Sequence, residues 1–443
     1  MAESQNCGFV LICADALRPD FLGQMGPDGS AAVSPRVDTF AGDAGTGACP
    51  PFNQLRGYSP ATWTLPAHMS LFTGLHPHQH GYGVRFKVGR AYPLPTHLRY
   101  LPSYLQRQGV ATYGFHNGGI MDAERGLGLG WTSYLGSEPG AVEEPARRFA
   151  EAVRELRRPF FAFVHTYAVH NYWGESQTPM VLDFLNDSEA AELKNISDEW
   201  PNLRWLMAAS VKGERTVSRR MTELIRRVYL GAVHRFDGIF GMIADAVRAS
   251  GQWEKCHVLL IADHGEALGE MHGGVQHWSH MTLNVHEENI RVPFLWKRAA
   301  GKRMPLESPA SLVDVPNLVA ACFGLPAIFP RRPRDTVFAT GITEQFGAVW
   351  ERAIPQQGRA YQSALIAGNR KYVLAGDDFE LMAVYDLDSD PGETRNVASR
   401  EDAVRARELV RPFVGNGGMA GGADSVEEDE RLREALRALG YVD

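Results

Sequence analysis

Three short apolar runs, Phe9–Ala14, Phe160–His165 and Val258–Ala262, constrain the fold of this chain more than any other feature. Each has the length and the β-branched or aromatic content of a strand buried on both faces. Each also stops at polar side chains: Asp15 after the first, His165 and His170 at the second, Asp263 and His264 after the third. Helical patterns lie between them, at Pro95–Gln108, Ala146–Leu156 and Val217–Ala249. The alternation predicts an α/β fold, a large central mixed, mostly parallel sheet sandwiched by helices. In such sheets ligands bind beyond the carboxyl ends of the strands, where these polar residues fall.

After residue 330 the pattern shortens to alternating segments, Tyr361–Ala367, Lys371–Ala375 and Glu380–Tyr385, which predicts a smaller C-terminal antiparallel sheet. The expected organisation is a catalytic α/β unit over 1–330, an antiparallel subdomain over 331–414, and a tail over 415–443. In the tail, Gly415–Gly422 reads as a flexible linker and Val426–Leu439 as a helix that docks on the chain's own body or on a second copy, making a homo-oligomer. The polar insert Ser188–Arg215 reads either as a lid or as a solvated helical excursion. The basic stretch Lys212–Arg227 reads as a solvated helix face or, alternatively, as a surface that meets an anionic substrate.

With 443 residues, 44% of them hydrophobic, the chain can bury a large core. Its five cysteines are scattered without CxxC spacing, so buried reduced thiols are expected rather than a disulfide framework or a zinc cluster. A formal charge of −7 offers no general attraction to nucleic acid or anionic membrane. An anionic substrate would therefore need a local positive centre, such as a metal ion. No basic leader precedes the first apolar run, which is too short to span a membrane, and a cytoplasmic location is expected.

Two further segments carry chemistry. In Thr62-Trp-Thr-Leu-Pro-Ala-His68, Pro66 suits the first turn of a helix and puts Thr64 just before it. There, backbone N–H groups and the helix dipole favour an anion. Thr64 reads as a nucleophile or, alternatively, as a plain N-cap. In Ala262-Asp-His-Gly-Glu266 a carboxylate and an imidazole are adjacent. Together with Asp15 they form a mixed oxygen and nitrogen set that favours Mn²⁺ or Zn²⁺ over Mg²⁺ or Ca²⁺.

The order of these motifs resembles the sulfatase-like branch of the alkaline phosphatase superfamily. It runs from Asp15-Ala-Leu-Arg-Pro-Asp20 through Thr64-Leu-Pro-Ala-His-Met-Ser-Leu-Phe-Thr-Gly74 to Ala262-Asp-His-Gly-Glu266, Arg291-Val-Pro293 and Tyr385-Asp-Leu-Asp-Ser-Asp-Pro-Gly-Glu-Thr-Arg-Asn396. The resemblance implies one divalent metal ion bound by Asp15, Thr64, Asp263 and His264, with Thr64 as the nucleophile. It implies that His170 contacts the ester group and that His280, or else His277, assists the leaving group. His68 stands in place of a supporting arginine, and Asn117 is a hydrogen-bond donor for a bound oxyanion, so that His68, Asn117 and His277 complete the substrate contacts.

The chain departs from true sulfatases in three ways. Threonine at position 64 cannot become formylglycine, because its β-carbon carries a methyl group and would oxidise to a ketone. The second aspartate of the family's pair is Ala16, and a lysine–histidine pair is replaced around His116-Asn117. A threonine with one aspartate resembles instead the phosphodiesterases and the phosphoglycerol or phosphoethanolamine transferases. The expected reaction is attack by Thr64 Oγ on phosphorus, a phosphothreonine, and release to water, an acceptor alcohol or a sugar. Direct cleavage of sulfate esters through Thr64 and a non-catalytic, anion-binding or partner-binding relative are the alternatives.

Overall fold

A computed structural model describes residues 7–25, 32–43, 56–81, 90–91, 98–173, 184–199, 210, 217–280, 284–300, 309–329, 332–333, 335–342, 361–376, 378–414 and 426–428. Its first strand, β1 (Gly8–Ala14), is buried at every position and forms the axis of the central sheet. Around it stand β2 (Ala111–Asn117), β3 (Ser133–Ser137), β4 (Phe160–Thr166) and β5 (Cys256–Ile261). The hairpin β6 (Ala267–His272) and β7 (Val275–Ser279) follows, and then β8 (Phe294–Lys297). The sheet order is β8-β5-β1-β4-β2-β3, parallel except for β8. The mixed, mostly parallel α/β sheet read from the apolar runs is therefore the one observed.

Register decides the site. Cys13 pairs with His165 on one side and Ile261 on the other. The chain just beyond β1, the last residues of β4 and the chain just beyond β5 thus share one edge of the sheet, which brings Asp15, His165 and Asp263 together. Helix α1 (Thr64–Thr73) packs with α2 (Leu101–Arg107), and α3 (Glu144–Ala152) packs with the long α4 (Arg219–Ala249). Both groups bury apolar side chains in one continuous core with the sheet. No helix of the described residues is long and apolar enough to cross a membrane.

The antiparallel sheet is also present, as β9 (Thr336–Ile342), β10 (Tyr361–Ala367), β11 (Arg370–Ala375) and β12 (Glu380–Asp386) in sequential order. It packs through Val337, Ala364 and Val373 on Tyr58, Val285 and Ile290 of the larger unit. Buried Lys371 reaches across to Glu287 at 3.1 Å and to Glu393 at 2.8 Å.

Some expectations change. Val426–Glu428 begins no helix: it is a short strand paired antiparallel with Arg90–Ala91. The linker 415–422 and the rest of the tail lie outside the described residues. The insert opens as a helix, Asp187–Glu199, while most of 200–216 lies outside them. Arg220 and Arg227 of the basic stretch are paired with Glu189. Cys7, Cys13, Cys256 and Cys322 are all buried and form no disulfide among the described residues.

Two glycines give a paired test of this packing. Gly265 follows His264 where the chain lies against the Glu288 backbone, and a Cβ there would sit 2.0 Å from the Glu288 carbonyl oxygen. Exposed Gly238 in α4 has nothing within 4 Å of the corresponding point. Thermal denaturation should place Gly265→Ala at least about 2 kcal/mol below wild type, whereas Gly238→Ala should gain up to about 1 kcal/mol.

Candidate active site

The site assembles where β1, β4 and β5 end against the start of α1. Trp63 keeps extended backbone angles, φ −154° and ψ 166°, so the helix begins at Thr64 itself rather than one residue later. Thr64 is therefore not a cap. Its Oγ1 lies 3.3 Å from Asp15 Oδ2 and 3.3 Å from His264 Nε2. Pro66, in the same first turn, lacks an N–H that would have no partner inside the helix in any case.

The turn after β1 is unusual. Ala16 has φ +62°, a left-handed conformation that costs a residue with a Cβ about 1–3 kcal/mol. It is held from two directions. The Ala16 N–H donates to Asp263 Oδ1 at 3.2 Å, and the Tyr229 hydroxyl, from α4, donates to the Ala16 carbonyl at 2.6 Å. The same hydroxyl accepts the Arg18 N–H at 2.9 Å. Nothing in the sequence pattern had singled out Tyr229.

Asp263 spends Oδ1 on the N–H groups of Ala16 and His264, leaving Oδ2 facing His264 Nε2 at 3.4 Å and His68 Nδ1 at 3.6 Å. Asp15 Oδ1 also lies 3.4 Å from His264 Nε2. Neither Asp15 Oδ1 nor Asp263 Oδ2 has a hydrogen-bond partner among the described residues, although both side chains are fully buried. Burial pushes the Asp15 carboxyl up to about 6, against the opposing pull of His264. Burial pushes Asp263 up as well, and repulsion from Asp15 adds to it.

Two orphaned, buried carboxylate oxygens beside an imidazole nitrogen are what a divalent cation would satisfy. His264 is oriented for that role: its Nδ1 donates to the Gly265 carbonyl at 2.8 Å, which leaves the lone pair on Nε2. Asp15, Asp263 and His264 form one group able to hold a metal ion, and His68, His165 and Asp263 form a second that overlaps it.

His68 is fully buried. Its Nδ1 donates to the Thr64 carbonyl at 2.8 Å, its Nε2 is 3.7 Å from Cys13 Sγ, and burial holds the ring down at about 4, against the pull of Asp263. His165, fully buried, brings Nε2 to 3.4 Å from Asp15 Oδ2. Its place at the end of β4 was legible in the sequence, but its approach to Asp15 was not.

Asn117 is a correction. Its amide group donates to Ser137 Oγ and to the Glu138 and Ala141 carbonyls, and its Oδ1 accepts the Tyr167 N–H at 3.1 Å. With both ends of the amide committed to loop backbone, it ties β2 to β4 and is not a donor held ready for an oxyanion.

The histidine-rich stretch divides into two groups. The His280 ring stacks on His264 at 4.2 Å and lies 5.1 Å from the His170 ring. The ring of His277 instead neighbours His272 at 5.4 Å and His286 at 6.1 Å, in a cluster anchored by the 2.9 Å contact of His272 with Glu288. Of the two leaving-group candidates, His280 is the one at the site. Ser279, with φ +69°, ends the hairpin and turns the chain toward it.

Glu266 was missed by the sequence reading. Fully buried, it meets His280 Nδ1 through Oε2 and accepts the Tyr172 hydroxyl at 3.1 Å through Oε1. Burial pushes its carboxyl up to about 8, with His264 and the Tyr172 hydroxyl opposing. The only signal in the sequence was one more acidic residue in the Asp263–Glu266 segment.

The sulfatase family model matches residues 9–325. The chain belongs to the sulfatase family. A search of curated proteins gave no match to the sequence. Among solved structures, the phosphonate monoester hydrolase of Agrobacterium radiobacter is similar, with 17% identity, a TM-score of 0.61, and 95% of this chain and 99% of that one covered. A phosphonate monoester hydrolase from Silicibacter pomeroyi has 17% identity, a TM-score of 0.60, and coverage of 92% and 93%. A putative sulfatase from Bacteroides thetaiotaomicron has 15% identity, a TM-score of 0.61, and coverage of 97% and 96%. At these identities the likeness is one of fold.

If the carboxylates hold a divalent ion, Mn²⁺ or Zn²⁺ at one hundred times its dissociation constant should add about 2.7 kcal/mol to the folded state. Differential scanning calorimetry with and without chelator should show that gain for wild type. Asp263→Asn should lose it while keeping the fold.

Proposed function

We propose that this member of the sulfatase family is a metal-dependent hydrolase of phosphate esters, phosphodiesters above all, working through a phosphothreonine on Thr64. The observation that carries the reading is the position of Thr64 Oγ1, 3.3 Å from both Asp15 Oδ2 and His264 Nε2, at the first residue of a helix. A hydroxyl in that place is a nucleophile whose substrate anion meets helix N–H groups. Family membership and the folds of the two phosphonate monoester hydrolases support an ester-cleaving site.

Asp15, Thr64, Asp263 and His264 would hold the divalent ion, which when bound supplies a Lewis acid that neutralises charge on the transferring group. The residues themselves do the rest. Thr64 Oγ gives up its proton, for which Asp15 Oδ2 lies within 3.3 Å, and bonds to phosphorus as the leaving oxygen departs on the opposite side. His280 protonates that oxygen, and His170, 5.1 Å from it ring to ring, binds a non-bridging oxygen. Water then attacks the phosphothreonine and frees Thr64. An acceptor alcohol or sugar in place of water would make the enzyme a transferase.

A sulfuric ester hydrolase acting directly through Thr64 is the second reading, favoured by the family itself. The intact set of Asp15, Thr64, Asp263 and His264 speaks against a relative that only binds an anion or a partner, because a site without chemistry has no need of orphaned carboxylates.

Turnover of bis(4-nitrophenyl) phosphate, 4-nitrophenyl phosphate and 4-nitrophenyl sulfate, with Mn²⁺ or Zn²⁺ added, separates the readings. The diester should be cleaved fastest. Thr64→Ala should lose at least about 1000-fold in kcat, while Thr64→Ser should retain a measurable part of the rate. Cleavage of the sulfate alone would select the second reading.

A further inference from the structure

We propose that Tyr229 is a positioning residue for the metal centre: by holding the peptides on either side of Leu17, its hydroxyl keeps Ala16 left-handed and so fixes Asp15 and Asp263 at the spacing a divalent ion needs. The inference rests on the reading of Asp15, Asp263 and His264 as metal ligands, and adds to it a residue of α4 that lies outside the ligand set.

The turn after β1 joins the two carboxylates. The Asp15 N–H donates to the Thr166 carbonyl at 3.0 Å, which anchors the turn to β4, and the Leu17 N–H closes it on the Ala14 carbonyl at 3.3 Å. Ala16 occupies the third place of this turn with φ +62°, where glycine is the favoured residue. Asp15 is part of the turn, and Asp263 is tied to it because Oδ1 accepts the Ala16 N–H at 3.2 Å. If Ala16 relaxed to a negative φ, that N–H would turn away from Oδ1. The two carboxylates, which repel each other, would then be free to separate.

Tyr229 opposes that relaxation. Its hydroxyl donates to the Ala16 carbonyl at 2.6 Å and accepts the Arg18 N–H at 2.9 Å. A hydroxyl can do both at once, with one proton to give and lone pairs to receive. Since Asp263 holds the peptide before Ala16 and Tyr229 the peptide after it, both backbone angles of Ala16 are fixed. The Tyr229 side chain is fully buried on the 31-residue helix α4, and its ring packs edge-on against Phe21 at 4.7 Å and Tyr172 at 5.3 Å. A ring confined in this way on a long helix places the oxygen closely, so the turn is set before an ion arrives.

The test is the affinity for Zn²⁺, or for Mn²⁺ if that ion binds tighter, measured by competition with a fluorescent chelator and counting the ion whose binding is lost in Asp263→Asn. Tyr229→Phe, which keeps the ring and removes the oxygen, should weaken that affinity by about tenfold. Glycine enters the left-handed region without a Cβ clash, so in an Ala16→Gly background the same change should weaken it by only about threefold. A Tyr229→Phe protein that melts earlier yet binds the ion as wild type does would show that the hydroxyl only supports the fold, and would overturn the proposal. Equal losses in the two backgrounds would also sink it, because the Ala16 turn would then not be the route. If Tyr229→Phe alone does not fold, Ala16→Gly is compared with the double variant, where a threefold loss supports the proposal and no loss refutes it. A wild type that binds neither ion would bring down the metal reading itself, whereas equal binding by wild type and Tyr229→Phe brings down this inference alone.

Discussion

Two carboxylates that ought to repel each other, Asp15 and Asp263, are buried side by side beyond the ends of neighbouring parallel strands. Much of the structure exists to hold them there. The register of β1 against β4 and β5 aligns the strand ends, and the left-handed Ala16 turn lets its N–H reach Asp263 Oδ1. Helix α4 sends Tyr229 to hold that turn. Desolvation of two like charges is expensive, and a protein keeps such an arrangement only where another charge or a chemical task compensates for it.

The fold was legible because strands buried on both faces must be apolar throughout, and few other features of a sequence look like β1, β4 and β5. Asp15, Asp263 and His264 were legible for the related reason that they end those runs. Thr64 could be placed at the start of a helix, though one residue early, since it is Trp63 that keeps the extended backbone and Thr64 is the first helical residue.

What stayed hidden depended on distances between segments remote in sequence. His277 and His280 stand three residues apart, and the turn at Ser279 decides that one joins His264 while the other joins His272 and His286. Asn117 ends a strand as Asp15 does, yet its amide is consumed by the loop after β3 and by Tyr167. Glu266 looked like one acidic residue among several, since its partners Tyr172 and Arg18 lie far away along the chain. Val426–Leu439 carries an apolar spacing that suits a helix, but its first three residues, Val426–Glu428, pair as a strand with Arg90–Ala91.

The ion pairs made by Lys371 bear on how the antiparallel sheet relates to the rest of the molecule. Its ammonium is completely buried between Glu287 and Glu393, and Glu393 also accepts the Glu287 N–H and contacts His286 at 3.2 Å. Without the sheet, Glu287 would lose its cation and Tyr58, Val285 and Ile290 would lose their apolar cover. The C-terminal sheet is thus no detachable appendage. The larger unit borrows part of its interior from it, so each limits which substitutions the other can accept.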